Sequence, residues 1–233
     1  MTLYRLAAFS DGARGGNPAG VHLGDTLPDD AGMQRIAADL GFSETAFAAP
    51  IPGGWRVRYF APLGEVPFCG HATLALGAAL ARREGAGRFE LQLNQARIAV
   101  EGAPEDGLYR ARLESPPTRS APADPALRAA AMALFGLDES ALDPRLPPAR
   151  IHGGADHLLL ALRSRADLAR MAYDFDTGRR LMLEHGLVTI ALVHAGGIRH
   201  FDVRNAFASG GVAEDPATGA AAAAFAGYLR DLG

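Results

Sequence analysis

The chain has 233 residues, 48% of them hydrophobic and 21% charged, which is enough apolar content for a substantial core and ordinary for a soluble globular protein. A net charge of −3 and a pI near 6.2, with no block of like charge, exclude a nucleic-acid binder that works through a basic surface. The single cysteine, Cys69, excludes an internal disulfide and a multi-cysteine metal site, and with no leader-like start and no apolar run near the ~20 residues of a membrane span it predicts a soluble cytoplasmic protein.

Residues 3–9 (LYRLAAF) have the length and residue types of a first strand, closed by a turn cluster at 10–20, after which VHLG reads as another short strand. Met33, Ile36, Ala37 and Leu40 recur at helical spacing, so 29–40 is predicted helical, with Asp29 or Asp30 as its cap and Gly41 as its end. FSETAF (42–47) leads into a strand, and WRVRYFAP (55–62) alternates as a strand does. HATLALGAALARR (71–83) predicts a helix closed by Gly85, and strand patterns follow at 89–93, 96–102 and 108–115. The Pro-, Ser- and Ala-rich run 115–125 is the predicted linker, dividing the chain into an N-terminal half, 1–115, and a C-terminal half, 116–233. Beyond it come a helix at 125–135, a Pro-rich turn near 143–148, and strands in ARIHGG and at 156–162. A short helix in ADLARMAYD, a helix at 177–186 with Thr177 as cap, strands at 187–196 and 198–207, and a last helix through Arg230 complete the pattern.

One motif occurs twice. E-x-P-x-x-G stands at 65–70 (EVPFCG) and again at 214–219 (EDPATG), each time running into an alanine-rich helix. Each copy follows a strand pattern with an R-x-F ending, Arg58-Tyr59-Phe60 and Arg199-His200-Phe201. Strand, turn and helix in the same order point to an internal duplication. Helices built of Ala and Gly have little bulk and suit a tightly enclosed position. The acid beside each proline is placed to act as an N-cap. The first-turn amides of a helix lack internal partners and sit at the positive end of its dipole, so a carboxylate or phosphate is their natural ligand. Gly70 and Gly219, without a Cβ, would let such a ligand approach the backbone.

Three side chains suit acid–base chemistry. Glu44 forms part of a polar pair in an otherwise apolar stretch, where partial desolvation tunes a carboxylate for proton transfer, although a glutamate at a strand start is commonly exposed. His71 follows Gly70 and can donate to a substrate oxygen or shuttle a proton, or simply cap the helix or face solvent. Asp215 is either an N-cap or a group that binds an amine or orients the imidazole. His152, Asp156 and His157 lack a recognised ligand spacing, so no metal is expected. SDGARGGNPAG has neither a G-x-G-x-x-G nor a P-loop form, so no nucleotide cofactor is expected either. Cys69 reads as a buried structural thiol.

GNPAGV (16–21), FSETAF (42–47), RYFAPLGEVPFCGHATLALG (58–77) and EDPATGAAAA (214–223) together resemble the PhzF-like, phenazine biosynthesis-like isomerase family, which has the diaminopimelate-epimerase-like fold. The resemblance implies an α/β (α+β) protein of two pseudo-symmetric halves. Each half would be a curved mixed β-sheet wrapped around a central helix, with the active site in the cleft between. It implies a cofactor-free proton transfer by the glutamate at Glu44, with His71 and Asp215 lining the pocket, a small carboxylate-bearing substrate, and a homodimer. The family's characterised phenazine-pathway member isomerises a dihydro-hydroxyanthranilate. Two features depart from the family pattern: Ala220 stands where the motif often has serine, and the sequence stops at Gly233, where family members continue with further strands, so a shortened second half with an exposed sheet edge is expected. These departures leave two alternatives, a non-catalytic binder of small carboxylates and an epimerase or lyase using the same proton transfer. Racemases of this fold that use two thiols are excluded by the single cysteine.

Overall fold

The computed structural model describes residues 2–12, 14–197 and 199–233. It divides into two compact units, Met1–Pro116 with Ala217–Ala220, and Pro117–Pro216 with Ala221–Gly233.

The first unit runs β1 (Thr2–Ala8), β2 (Asn17–Leu23), α1 (Asp30–Leu40), β3 (Thr45–Ile51), β4 (Gly54–Ala61), β5 (Gly64–Val66), α2 (Gly70–Glu84), β6 (Gly87–Gln92), β7 (Arg97–Glu105) and β8 (Leu108–Leu113). Its sheet has the order β1-β2-β3-β4-β6-β7-β8, with β5 folded back on β4. The β2/β3 and β4/β6 pairs are parallel and the others antiparallel. Helix α2 packs on both β1 and β8, the two edges, so the sheet curls around it. The small residues expected of an enclosed helix make this fit possible. A methyl on Gly77 would meet Val100 Cγ2 at 2.6 Å, and one on Gly102 would meet the Gly77 carbonyl oxygen at 2.3 Å. Helix α1 covers the outer face of this sheet, with Met33 and Ala37 packed on Phe47 and Phe60. Asp29 caps it through Gly32 N–H at 2.8 Å, and Gly41 ends it at φ 65°.

In the second unit β9 (Arg119–Pro122), α3 (Pro125–Leu134), a 3₁₀ turn at Glu139–Ala141, β10 (Ala149–His152), β11 (Asp156–Leu162), α4 (Arg165–Ala169) and α5 (Phe175–Glu184) come first. They are followed by β12 (Thr189–Gly197), β13 (His200–Ala206), a 3₁₀ turn at Ala208–Gly210, β14 (Glu214–Asp215) and α6 (Gly219–Leu232). The sheet order is β14-β13-β12-β11-β10-β9, and only β11/β12 is parallel. Strand β11 alternates between two cores. Leu158, Leu160 and Leu162 pack with Leu127, Leu168 and Met182 of the outer helices, while Leu159 and Ala161 pack with Ala224, Phe225 and Tyr228 of α6. Each fully buried leucine contributes roughly 1.5–3 kcal/mol.

The duplication extends well beyond the motif. The series β1-β2-α1-β3-β4-β5-α2 recurs as β10-β11-(α4, α5)-β12-β13-β14-α6, with the same succession of antiparallel, parallel, antiparallel and antiparallel pairings. The register of the repeat differs from the sequence reading. Arg204, and not Arg199, is the counterpart of Arg58, because Arg204 grips Glu214 across β13/β14 as Arg58 grips Glu65 across β4/β5.

Other local expectations shift as well. The turn cluster ends early, since Asn17-Pro18-Ala19-Gly20 already pair with β1. The linker contains a strand, because 119–122 finds a partner in β10 that no local pattern announces. Helix α5 starts at Phe175, capped by Asp174 through Thr177 N–H at 2.8 Å, so Thr177 donates to the cap and does not form it. The strand expected over 187–196 begins at Thr189, and Ile198, at the start of the next expected segment, lies outside the described residues. Among the described residues no helix is long and apolar enough to cross a membrane.

Candidate active site

Glu44 is the residue before β3, where the parallel ladder with β2 opens. Its carbonyl accepts from the Gly20 N–H at 3.3 Å. The tight left-handed end of α1 at Gly41 turns the chain directly into this strand, so Ser43 and Glu44 are drawn inside, and only 3% of Glu44 is exposed. An ionised carboxylate so far from water needs partners. His71 supplies one, with Nε2 3.8 Å from Glu44 Oε2 and 3.4 Å from Ser43 Oγ.

His71 is the second residue of α2 and is fully buried. Its other ring nitrogen, Nδ1, lies 3.1 Å from Cys69 Sγ. Cys69 occupies the N-cap position of α2 in extended conformation, and its side chain makes no capping bond. Its carbonyl accepts from Thr73 N–H at 3.0 Å and from Thr73 Oγ1 at 2.6 Å. Thr73 thereby spends its hydroxyl proton, so Tyr59 O–H donates to Thr73 Oγ1, 2.6 Å away. Burial pushes the Tyr59 phenol upward and keeps it a donor. This chain of bonds fixes the helix start that carries Cys69 and His71.

No acid caps α2, whose N-cap is Cys69, and the glutamate of each motif is engaged by an arginine. Glu65 lies on β5 and is held by Arg58, and Glu214 lies on β14 and is held by Arg204, because two charge-assisted hydrogen bonds outweigh one to an amide. Asp215 is also on β14, opposite Asn205 and 1% exposed, ahead of the first residue of α6, Gly219. It belongs to the second unit.

Gly70 and Gly219 come together within the first unit. A methyl on Gly70 would reach Gly219 Cα and Ala220 N at 3.4 Å, and one on Gly219 would reach Gly70 Cα at 3.6 Å and His71 N at 3.7 Å. The two helix starts therefore touch through bare backbone, which is a further use for these glycines besides the ligand contact expected of them. Asn17 Nδ2 donates to Ala217 O at 3.1 Å and ties the second of these starts to β2.

The donor atoms of Glu44, Cys69 and His71 lie within 4.8 Å of one another. A single ion would take one ring nitrogen of His71, yet Nδ1 faces the thiol and Nε2 faces the carboxylate. The imidazole is thus a bridge between two side chains and not one arm of a convergent ligand set. His152, Asp156 and His157 do not gather. His152 Nδ1 bonds Asp156 at 2.5 Å, while His157 turns to the other face of β11 and places Nδ1 2.8 Å from Thr189 Oγ1.

A family model described as phenazine biosynthesis-like protein matches residues 6–233. An isomerase of Deinococcus radiodurans is 33% identical over 100% of this chain and 78% of its own length. The chain belongs to the phenazine biosynthesis-like family of isomerases. A trans-2,3-dihydro-3-hydroxyanthranilate isomerase of Pseudomonas fluorescens is likewise 33% identical, over 98% of this chain and 79% of its own. Among solved structures, a predicted epimerase from Pseudomonas aeruginosa superposes with a TM-score of 0.83 at 25% identity, covering 98% of this chain and 81% of that one. A probable proline racemase from Agrobacterium radiobacter, at 12% identity and TM-score 0.61 over 94% and 76% of the two chains, shares the fold.

Within this isomerase the two halves differ at one corresponding strand position. Glu44 precedes Thr45, whose neighbour across the parallel ladder is Gly20, and in the second unit Val188 precedes Thr189, whose neighbour is His157. The carboxylate is present once. Sequence reasoning missed three residues of this neighbourhood or its counterpart. Ser43 and Asn205 carry no pattern signal, although Asn205 is buried and its Oδ1 has no hydrogen-bond partner among the described residues. Cys69 is buried, as expected of a structural thiol, and what the sequence did not show is its 3.1 Å approach to His71 Nδ1.

Proposed function

We propose that this isomerase works without a cofactor and moves one hydrogen within a small carboxylate-bearing substrate, with Glu44 as both base and acid. The observation that carries the reading is the burial of Glu44 at the mouth of the β2/β3 ladder beside the bridging imidazole of His71. The Glu44 carboxylate takes a proton from a carbon next to a C=C or C=O group, and the C–H electron pair moves into that π system. The resulting carboxylic acid returns the proton at the other end of the system, which leaves the composition of the substrate unchanged and regenerates Glu44. His71 polarises a substrate oxygen or supports the carboxylate. The substrate's own carboxylate is held by the amides at the Gly70 and Gly219 helix starts, whose juxtaposition and dipoles favour an anion. One relative is named an isomerase of trans-2,3-dihydro-3-hydroxyanthranilate, by its name a small unsaturated, hydroxylated carboxylate, which supports this reading.

The test is solvent-hydrogen exchange. A panel of small unsaturated and hydroxylated carboxylates is incubated in D₂O with wild-type protein and with Glu44→Gln, and deuterium incorporation is followed by NMR. The wild type should label at least one compound, and Glu44→Gln should label it about 10²–10⁴-fold more slowly. Undiminished labelling by Glu44→Gln would remove Glu44 from the mechanism.

A further inference from the structure

The geometry points to Cys69 as a positioning residue for Glu44, acting through the ring of His71. The catalytic half of this inference rests on the reading of Glu44 as the base, whereas the structural half is independent of it.

A neutral imidazole carries one N–H and one lone pair, so its two faces must differ in character. Nδ1 faces the Cys69 thiol at 3.1 Å, and Nε2 faces Ser43 Oγ at 3.4 Å and Glu44 Oε2 at 3.8 Å. An ionised carboxylate can only accept, whereas a thiol can donate. The Ser43 hydroxyl can donate or accept, so the carboxylate and the thiol make the difference: with Cys69 S–H donating to Nδ1, Nε2 carries its proton toward Ser43 and Glu44. The opposite tautomer turns a lone pair toward the carboxylate and asks a thiol sulfur, a weak acceptor, to take the Nδ1–H. In a buried site that arrangement favours protonated Glu44, which cannot act as a base.

The thiol is held where this role needs it. Cys69 is 4% exposed, its backbone is fixed at the N-cap of α2, and its carbonyl is anchored by Thr73, which Tyr59 anchors in turn. Apolar filling would make no demand on the direction of Sγ, yet Sγ lies within hydrogen-bonding range of one particular nitrogen.

The experiment reads the tautomer directly. In unliganded protein with ¹⁵N-labelled histidine, the two His71 ring nitrogens are assigned by NMR in the wild type, in Cys69→Ser, which retains a donor, and in Cys69→Ala, which does not. Thermal unfolding confirms that each variant is folded. The expected result is Nε2–H with a bare Nδ1 in the wild type and in Cys69→Ser, and loss of that preference in Cys69→Ala. Deuterium exchange on a labelled carboxylate should then show kcat reduced about 10–100-fold in Cys69→Ala with KM little changed, and largely restored in Cys69→Ser. An unaltered tautomer in Cys69→Ala, protons on both nitrogens of the wild type, or equal losses in the two variants would overturn the inference. If the tautomer responds as stated while the wild type exchanges hydrogen with no carboxylate, the positioning stands and the Glu44 reading falls.

Discussion

Arg58 grips Glu65 with two parallel hydrogen bonds, Nε to Oε1 at 2.8 Å and Nη2 to Oε2 at 2.6 Å, across the β4/β5 hairpin that delivers the chain to α2. Arg204 does the same for Glu214 ahead of α6, and its Nη1 also reaches the carbonyls of Ala169 and Met171. The glutamate of each E-x-P-x-x-G motif is therefore a clamp on the turn. What the two halves share is a way of aiming a helix start, whereas the buried Glu44 and His71 occur in the first half alone.

Breaking one clamp should loosen its helix start. Glu65 is three-quarters buried at its side chain, and the hydrogen bonds from Arg58 hold its carboxyl below the usual carboxylate range. Glu65→Gln is expected to cost about 1–2 kcal/mol at neutral pH, lowering Tm by roughly 2–4 °C for each kcal/mol in a chain of this size. Because the folded pKa is depressed, this contribution is complete above the ordinary value near 4.5 and disappears as the pH falls through the folded value. The variant should accordingly be less acid-sensitive than the wild type below that point, which thermal melts between pH 3 and 7 would show.

The sequence disclosed the α/β class, nearly every element and the motif pair, because strand alternation, helical spacing and Gly or Asp at helix ends are local signals. Glu44 and His71 drew notice for a related reason, since a polar residue inside an apolar run or just inside a helix start stands out, and the structure buries both and sets them 3.8 Å apart. What stayed hidden depends on partners distant in the chain. Strand 119–122 forms only because β10 lies beside it. Glu65 and Glu214 look like caps until the cross-strand arginines are seen. The counterpart of Arg58 is set by the β13/β14 register, and local R-x-F spacing could not supply it. Cys69 gave no sign of its orientation, since a thiol at a helix start reads the same whether or not an imidazole nitrogen faces it.

His157 offers a separate handle on acid stability. It is fully buried on β11, and burial pulls its pKa down to about 3, with neighbouring Asp156 opposing and His152 assisting that fall. Between that value and the ordinary 6.5, the unfolded chain binds a proton here that the folded chain refuses, so stability rises with pH across this window and falls on acidification. The slope from this one group approaches about 1.4 kcal/mol per pH unit once the pH is well below 6.5. Burial also lowers the pKa of His22, which contributes in the same direction, so the informative quantity is a difference. His157→Gln should reduce proton uptake on unfolding at pH 5–5.5 by close to one proton relative to the wild type, as measured by urea unfolding across pH. An identical pH dependence in the two proteins would show that His157 is charged, or reachable by protons, in the folded state.

The placement of Glu44 gives a sharper test than its removal. Its backbone is set by the β2/β3 ladder and its carboxylate lies beside the His71 imidazole, so, on the proposed reading of Glu44 as the base, the length of the side chain sets where the carboxylate meets a substrate carbon. Glu44→Asp keeps the charge and draws the carboxylate back by one methylene, which is more than 1 Å. A displacement of about 1 Å from a reactive geometry costs on the order of 10²-fold in rate. On the proposed reading the substrate's carboxylate is held at the Gly70 and Gly219 helix starts and not by this side chain, so ground-state affinity should survive. The expected outcome is a kcat for solvent-hydrogen exchange reduced about 10²-fold with KM changed little, and ligand-induced thermal stabilisation equal to that of the wild type. A rise in KM at constant kcat would instead make Glu44 a binding group, because it would then interact equally with the ground state and the transition state.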